Sequence, residues 1–346
     1  MKVLLTGCNG YIGTVLSQLL IECGYDVIGL DINYFESCFL KKPIKNFQFI
    51  NKDIRNLSSK DISGFDAIIH LAGLSNDPLG EFDPKLTESI NYTSTIHLAN
   101  IAKSQGVKRF IYASSQSMYG VSDSEKELDE YNSIKNPVTA YASTKWEAEM
   151  YLMDMNSNSF SVCCFRPSTV FGASPRLRCD IVFNNLVACA YTTGKIEVLS
   201  DGTPWRPVVH VKDVCKAFVA GLEAPISLVG GKAFNVGIPN GNFTVKELAM
   251  AAQKAVPNCE LVFLNQHTDP RTYKVSFNRI LTWSIFFIQS LFLLFFDSNS
   301  KTKVYFSSNP PVAPFISLFY NLKYYIHIYD VYPDALLASP KITEDS

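Results

Sequence analysis

Tyr141 and Lys145 stand four residues apart in "TAYASTKWEAE", residues 139–149, a run of good helix formers. On a helix, positions i and i+4 share a face, so a phenol and an ammonium can reach the same small volume. Such a pair can remove a proton from a hydroxyl if the cation favours the ionised phenol. The same spacing equally suits a solvated lysine beside a half-buried tyrosine, so the pair acquires a role only from its surroundings. "TGCNGYIG" supplies candidate surroundings: Gly7, Gly10 and Gly13 follow an apolar run and open an amphipathic one. Bare backbone at a helix N-terminus is what a dinucleotide pyrophosphate requires. Asp31 ends the next apolar run, eighteen residues after Gly13. A carboxylate there accepts from both ribose hydroxyls and repels a 2′-phosphate, which favours NAD over NADP.

The elements that must carry these groups alternate. Short apolar runs at Lys2 to Thr6, Asp26 to Asp31, Phe47 to Asn51, Ala67 to Leu71, Arg109 to Ser114 and Ser161 to Phe165 read as strands. Helical patterns lie between them at Tyr11 to Cys23, Pro84 to Gln105 and Thr139 to Asn156. That alternation predicts an α/β protein with a doubly wound parallel (Rossmann) sheet covered on both faces. Beyond residue 165, Gly and Pro become denser, and helical patterns at Val211 to Glu223 and Thr244 to Ala255 suggest a smaller substrate lobe. The expected division is an NAD-binding domain at 1–165, a substrate-binding lobe at 166–280 into which Rossmann strands can recur, and an aromatic-rich tail at 281–346.

Composition sets further bounds. With 346 residues, 47% apolar and 18% charged, the chain can bury a large core or two lobes around one cleft. Lys and Arg number 31 against 32 for Asp and Glu, with no basic block, which argues against a nucleic-acid partner. The nine cysteines show no CxxC pair or Cys/His metal spacing and read as reduced thiols of a cytoplasmic chain with no metal site. "MKVLLTG" enters a strand at once, so no secretion signal is expected.

Taken together, "TGCNGYIG", Asp31, "KDIR" (52–55), "HLAG" (70–73), Asn91 in "INYTST", "YASSQSMYG" (112–120), "YASTK" (141–145), "RPSTVFG" (166–172) and "RPVVHVKDV" (206–214) make a specific pattern over about residues 1–280. The chain resembles an extended short-chain dehydrogenase/reductase of the nucleotide-sugar epimerase and dehydratase family. The resemblance implies cofactor contacts at Gly7, Gly10, Tyr11, Ile12 and Gly13, with Asp53 and Ile54 at the adenine. Leu71, Ala72 and Gly73 would line the path to the nicotinamide ribose, Asn91 would support the site behind the lysine, and Lys145 would serve cofactor and catalysis alike. Substrate contacts are implied at Ser115, Asn185 and Arg206, and at Arg271 as a further diphosphate clamp; guanidinium forks suit that geometry. Arg176 and Arg178 fit either clamps or a solvated loop. A homodimer is implied through the helix bearing the Tyr/Lys motif and the long helix near Asn91.

With a cofactor in place, Tyr141 would take the proton of a sugar hydroxyl, Ser115 would hydrogen-bond at that hydroxyl, and Lys145 would favour the phenolate. A phenol with a pKa of ~10 must fall by roughly three units, or about 4 kcal/mol, to act near neutrality. A cation about 4 Å away at an effective dielectric of about 20 supplies an energy of that order. In the resemblance, 4,6-dehydratases carry an Asp-Glu pair directly after the Ser/Thr, whereas this chain has Gln116 and Ser117. Neither side chain ionises near neutrality, which disfavours elimination and leaves 4-epimerisation through a transient 4-keto sugar as the smallest chemistry available. Other NAD-dependent oxidoreduction of a nucleotide-diphosphate sugar and a catalytically silent NAD-binding protein are the alternatives. Thr169, where galactose epimerases often carry asparagine, leaves the sugar and nucleotide open.

The resemblance stops after "VSFNRI". The uncharged run Ile280 to Phe296 has 17 residues, at the lower limit of ~17 to 25 for a membrane span. It admits three readings: a non-homologous C-terminus, a membrane or interfacial anchor, or a private elaboration of the fold.

Overall fold

A computed structural model describes residues 1–41, 47–75, 77–122, 126–266 and 272–276, and the backbone of 304–307 and 324–327. Residues 1–277 form one compact unit and 278–346 another. The strands of the first unit are β1 (Lys2–Thr6), β2 (Asp26–Asp31), β3 (Gln48–Asn51), β4 (Ala67–His70), β5 (Arg109–Ala113), β6 (Ser161–Pro167), β7 (Thr169–Phe171), β8 (Lys195–Val198), β9 (Trp205–His210), β10 (Lys232–Val236), β11 (Asn242–Thr244) and β12 (Glu260–Phe263). Its helices are α1 (Gly13–Glu22), α2 (Ser59–Ile62), α3 (Asp77–Phe82), α4 (Pro84–Glu88), α5 (Ser94–Ser104), α6 (Ala140–Asp154), α7 (Val182–Thr193), α8 (Val211–Glu223), α9 (Ile226–Val229) and α10 (Val245–Ala255).

Seven strands pair in parallel in the order β10-β6-β5-β4-β1-β2-β3. The run 3-2-1-4-5-6 is that of a doubly wound sheet, and its winding reverses between β1 and β4, where a crevice opens at the strand C-termini. Val3, Leu4 and Leu5 of β1 and Ala67, Ile68 and Ile69 of β4 are fully buried. Helices on both faces leave such strands no polar side, which explains why they read as unbroken apolar runs. One face packs Leu98 and Ala102 of α5 and Ala148 and Leu152 of α6 over Leu4, Ile28, Phe110 and Val162. On the other, α8 lies against α1 and sets Phe218 edge-on to Phe165, ring centroids 5.3 Å apart. Full burial of each such side chain contributes roughly 1.5–3 kcal/mol.

The smaller lobe has a separate core. β9 pairs with β7 and β11, and β8 with β12, while α7 and α10 bury Leu186, Ala190, Leu248 and Ala252 against Ile196 and Val198. Thr244 and Glu247 form a capping box at α10, and Gly194 at φ 68° ends α7 in the left-handed conformation that glycine adopts freely. Between these lobe elements the chain returns to the first sheet with α8 and β10, so the cleft is walled from both sides by segments drawn from the whole of residues 1–277.

Element ends fall within one or two residues of the sequence reading for most of the first sheet; β6 runs on to Pro167. One element differs. The continuous helix expected from Pro84 to Gln105 is α4 and α5 separated by a π-helical turn at Ser89–Thr93. The extra residue in that turn lets the fully buried Asn91 reach inward, where its amide accepts from Leu74 N and donates to Leu74 O, both at 2.8 Å. In the second unit, β13 (Val304–Ser307) and β14 (Tyr324–His327) pair in parallel. The apolar run 280–296 lies outside the described residues. Among those described, no helix is long and apolar enough to cross a membrane.

Candidate active site

At the C-terminal ends of β1, β2, β4 and β5 lies a cavity of about 990 Å³. The loop after β1 enters it with Gly7 at φ 73°, a conformation that costs L side chains energy and glycine little. A Cβ on Gly7 would stand 2.7 Å from Ala72 N, and one on Gly13 would collide with the Gly7 carbonyl, so the loop folds tightly against its neighbours. Gly10, Tyr11, Ile12 and Gly13 line the cavity, and the first turn of α1 holds no carboxylate to offset its positive end. Asp31 also lines it; its carboxylate accepts from Asn9 N at 3.0 Å and Asn33 N at 2.9 Å, which fixes it at the β2 terminus. A glycine-lined helix start beside a held carboxylate is a donor and acceptor set that fits the pyrophosphate and ribose of a dinucleotide.

Asp53 and Ile54 line the same space, Asp53 held by Arg55. The Arg55 hydrogen bond keeps the Asp53 carboxyl below the usual carboxylate range. Leu71, Ala72 and Gly73 form the next stretch of wall. Asn91 stands behind that wall rather than in it: a Cβ on Gly73 would lie 2.9 Å from Asn91 Oδ1 and 3.5 Å from Lys145 Nζ. Beneath the wall, fully buried His70 joins Thr6 Oγ1 at 2.7 Å and Thr95 Oγ1 at 2.8 Å. Burial, with the nearby Lys145 charge, lowers its pKa to about 3 and keeps it neutral.

Ser115, Tyr141 and Lys145 all line the cavity. Tyr141 is brought there by α6, which begins because Thr139 caps it, the hydroxyl accepting from Ala142 N at 3.1 Å. Ser115 is close enough to Tyr141 to draw its phenol down, and its Oγ accepts from Ser117 N and donates to Ser117 Oγ, each at 3.1 Å. Lys145, only 4% exposed, donates to the Ala113 carbonyl at 2.9 Å and lies 4.7 Å above the Tyr112 ring. Burial lowers its pKa to about 8, so the ammonium is held charged near neutrality but is easier to deprotonate than a free lysine.

The electrostatics of Tyr141 differ from the expectation. Burial pushes the phenol above its ordinary value; Ser115 and Arg178 pull it down, and Asp77 pushes it up.

From the smaller lobe, Asn185 and Arg206 line the cavity. Asn185 Nδ2 donates to Cys179 O at 2.9 Å, and Arg206, 9% exposed, donates to Trp205 O at 2.8 Å. Arg271 lies outside the described residues. The two arginines of "SPRLR" part company: Arg176 stacks 4.6 Å above the Phe35 ring, whereas Arg178 lines the cavity and bonds Ser75. Sequence reasoning passed over Ser75, Asp77 and Thr139. The Asp77-Pro78 turn signal and a threonine three residues before Ala142 were the available signs. Tyr11 was expected only as part of the glycine loop. Its hydroxyl donates to Gly172 O at 2.7 Å and ties the two sides of the cleft together.

Gln116 turns away from the cavity. It is 1% exposed, and its Nε2 donates to Arg166 O at 3.0 Å. Behind α6, Glu149 and Arg166 form a buried ion pair with contacts of 2.5, 3.1 and 3.2 Å.

A family model described as the NAD dependent epimerase/dehydratase family matches residues 3–237. A UDP-glucose 4-epimerase of Bacillus subtilis is 30% identical over 281 residues, 73% of this chain and 82% of that protein. A UDP-glucuronic acid decarboxylase of Arabidopsis thaliana is 29% identical over 286 residues, 79% of this chain and 62% of that protein. Among solved structures, a UDP-glucuronic acid 4-epimerase of Bacillus cereus, in complex with UDP-glucuronic acid and NAD, superposes with a TM-score of 0.68 at 25% identity. It covers 79% of this chain and 90% of that one.

Proposed function

This chain belongs to the NAD dependent epimerase/dehydratase family, and from that premise we propose that it is a nucleotide-sugar 4-epimerase working through a transient 4-keto sugar. NAD is the cofactor of the family. Bound in this cleft, it would supply the hydride acceptor and donor that a 4-keto intermediate requires. Gly7, Gly10, Tyr11, Ile12 and Gly13 hold the pyrophosphate against the start of α1, and Asp31 takes the ribose hydroxyls. Asp53 and Ile54 border the adenine, while Leu71 to Gly73, braced by Asn91, shape the passage toward Lys145.

Tyr141 removes the proton of the sugar 4-hydroxyl, and Ser115, itself held by Ser117, hydrogen-bonds that hydroxyl. Lys145 steadies the nearby ribose and keeps a positive charge behind the phenol. Asn185 and Arg206 face the nucleotide diphosphate from the smaller lobe. The chain pairs as a homodimer through the outer faces of α5 and α6, where Met150 and Tyr151 are exposed; sedimentation at about twice the monomer mass checks this.

The observation that carries the epimerase reading is the environment of Gln116. Its amide is turned into the core toward Arg166 O, so neither residue following Ser115 presents an acid or base to the sugar. Elimination of water needs such a group; exchange of configuration at a single carbon does not. The test incubates the NAD-loaded full chain with UDP- and dTDP-hexoses and identifies products. A 4-epimer is expected, and a ketone, an unsaturated sugar or a decarboxylated product would replace this reading with another activity of the family.

A further inference from the structure

Residues 272–276 form a strap between the chain that follows the Ser115 turn and the smaller lobe. Leu128 N donates to Lys274 O at 2.9 Å and Ser276 N to Leu128 O at 2.8 Å, a parallel bridge on the first side. From the smaller lobe, the Asn242 amide of β11 accepts from Val275 N at 2.9 Å and donates to Val275 O at 3.0 Å. Side chains along a strand-like segment alternate in direction, and these do. Thr272 and Lys274 meet Trp205 at the start of β9: Thr272 Oγ1 accepts from Trp205 N at 3.1 Å, and the Lys274 ammonium lies 4.2 Å from the Trp205 ring centroid. Tyr273 and Val275 belong instead to the cluster of Met118 and Tyr119, where Val275 is fully buried and Tyr273 half-buried.

Of these five residues, Tyr273 lines the cavity. Its neighbours fix where. Met118 and Tyr119 belong to the 3₁₀ turn Gln116–Tyr119 that Ser115 caps, and Trp205, bonded to Thr272, immediately precedes Arg206. Ser115 and Arg206 line the same cavity. The proposed function sets Arg206 at the diphosphate and Ser115 at the reacting hydroxyl, and what a nucleotide-diphosphate sugar carries between those two points is its hexose ring. Resting on that reading, we propose that Tyr273 is a substrate-binding residue for the hexose: its ring is the wall against which the C–H face of the sugar lies. A flat, stiff aromatic body presents the apolar surface that such a face needs. The backbone bonds and the burial of Val275 hold the segment, so the place of the Tyr273 ring is set by the strap and not by the ring itself.

The test separates the sugar from its nucleotide. Calorimetry on the NAD-loaded full chain gives the dissociation constants of UDP, UDP-glucose, dTDP and dTDP-glucose, in a Tyr141→Phe background so that the sugar is not turned over. Tyr273→Leu keeps apolar bulk against Met118 and Tyr119 but removes the flat ring. It is expected to weaken the tighter-binding of the two glucose conjugates about tenfold and to leave its parent diphosphate within about twofold, whereas Tyr273→Phe stays within about threefold for both. An equal loss for diphosphate and conjugate would put the ring at the nucleotide or reduce it to a structural tie, and no loss for either would take it out of the site; each result overturns the proposal. Absence of turnover by the chain with Tyr141 intact defeats the epimerase reading alone, because the sugar-selective loss is read from binding. Unchanged binding in Tyr273→Leu beside a 4-epimer from the intact chain defeats the role of Tyr273 alone, and a chain that binds none of the four ligands contradicts both.

Discussion

The sheet wall of the cleft and the wall built from residues 172–206 face the same cavity but are held in place differently. On the sheet side each of these groups sits at or just beyond a strand or helix end: Asp31 as the last residue of β2, Ser115 after β5, Tyr141 in the first turn of α6. Fully buried side chains of the central strands set those ends, and behind them lie closed polar pairs such as His70 with Thr6 and Thr95. On the opposite side Arg178 comes from a loop and Asn185 from the first turn of α7, and their seats are set by hydrogen bonds, Arg178 to Ser75 and Asp180 and Asn185 to the Cys179 carbonyl six residues before it. The contrast is between groups seated by packing at element ends and groups seated by tethers that a few substitutions can release; on the proposed reading the former carry proton and hydride transfer and the latter grip the nucleotide sugar.

The largest effect that sharpens this contrast is at Tyr141. Tyr141→Phe is expected to cut kcat roughly 10²- to 10⁴-fold while leaving the amount of NAD bound per chain unchanged, since the phenol serves the proton and not the cofactor's grip. Steady-state rates and the absorbance of released cofactor check both halves. Next, Glu149→Ala leaves Arg166 charged and buried without its partner and is expected to cost about 3–5 kcal/mol of stability, read from urea unfolding. A loss near zero would mean that the sheet wall is less tightly set than its packing implies.

Acid should act on the same wall. His70 is neutral when folded, with a pKa of about 3, and protonates near its ordinary value when unfolded. Its depressed folded pKa means that the unfolded chain gains the proton first as pH falls. Stability should therefore drop between about pH 6.5 and 3 by up to roughly 1.4 kcal/mol per unit from this residue. His70→Gln should flatten that part of the pH dependence. The smallest effect belongs to the tethers: Tyr11→Phe removes the bond to Gly172 O and is expected to cost about 1 kcal/mol, seen as faster NAD dissociation with kcat at saturating cofactor little altered.

What was legible in the sequence divides along the same line. Strands buried on both faces, the glycine loop and the acid ending β2 are local patterns, and β1, α1, β2 and Asp31 stand where those patterns place them. The π-helical turn was not legible. It arises because Asn91 satisfies Leu74, a residue 17 positions away, and nothing in the local helix propensity of "ESINYTST" signals that demand. Arg178 was half legible: the sequence left both Arg176 and Arg178 as either clamps or solvated charges, and Ser75, brought beside Arg178 from 103 residues away, is what separates the two. The i, i+4 pattern of Tyr141 and Lys145 did place both at the cavity, but it could not reveal that the Ala113 carbonyl and the Tyr112 ring claim the ammonium.

The central claim is that one site removes hydrogen from carbon 4 and restores it on the other face. Hexoses carrying deuterium at carbon 4, supplied as UDP and dTDP conjugates to the NAD-loaded full chain, test it most directly by mass and proton NMR of the products. A 4-epimer that keeps its deuterium at carbon 4 is the expected product. Label lost to solvent, or a product that is not a 4-epimer, would contradict it.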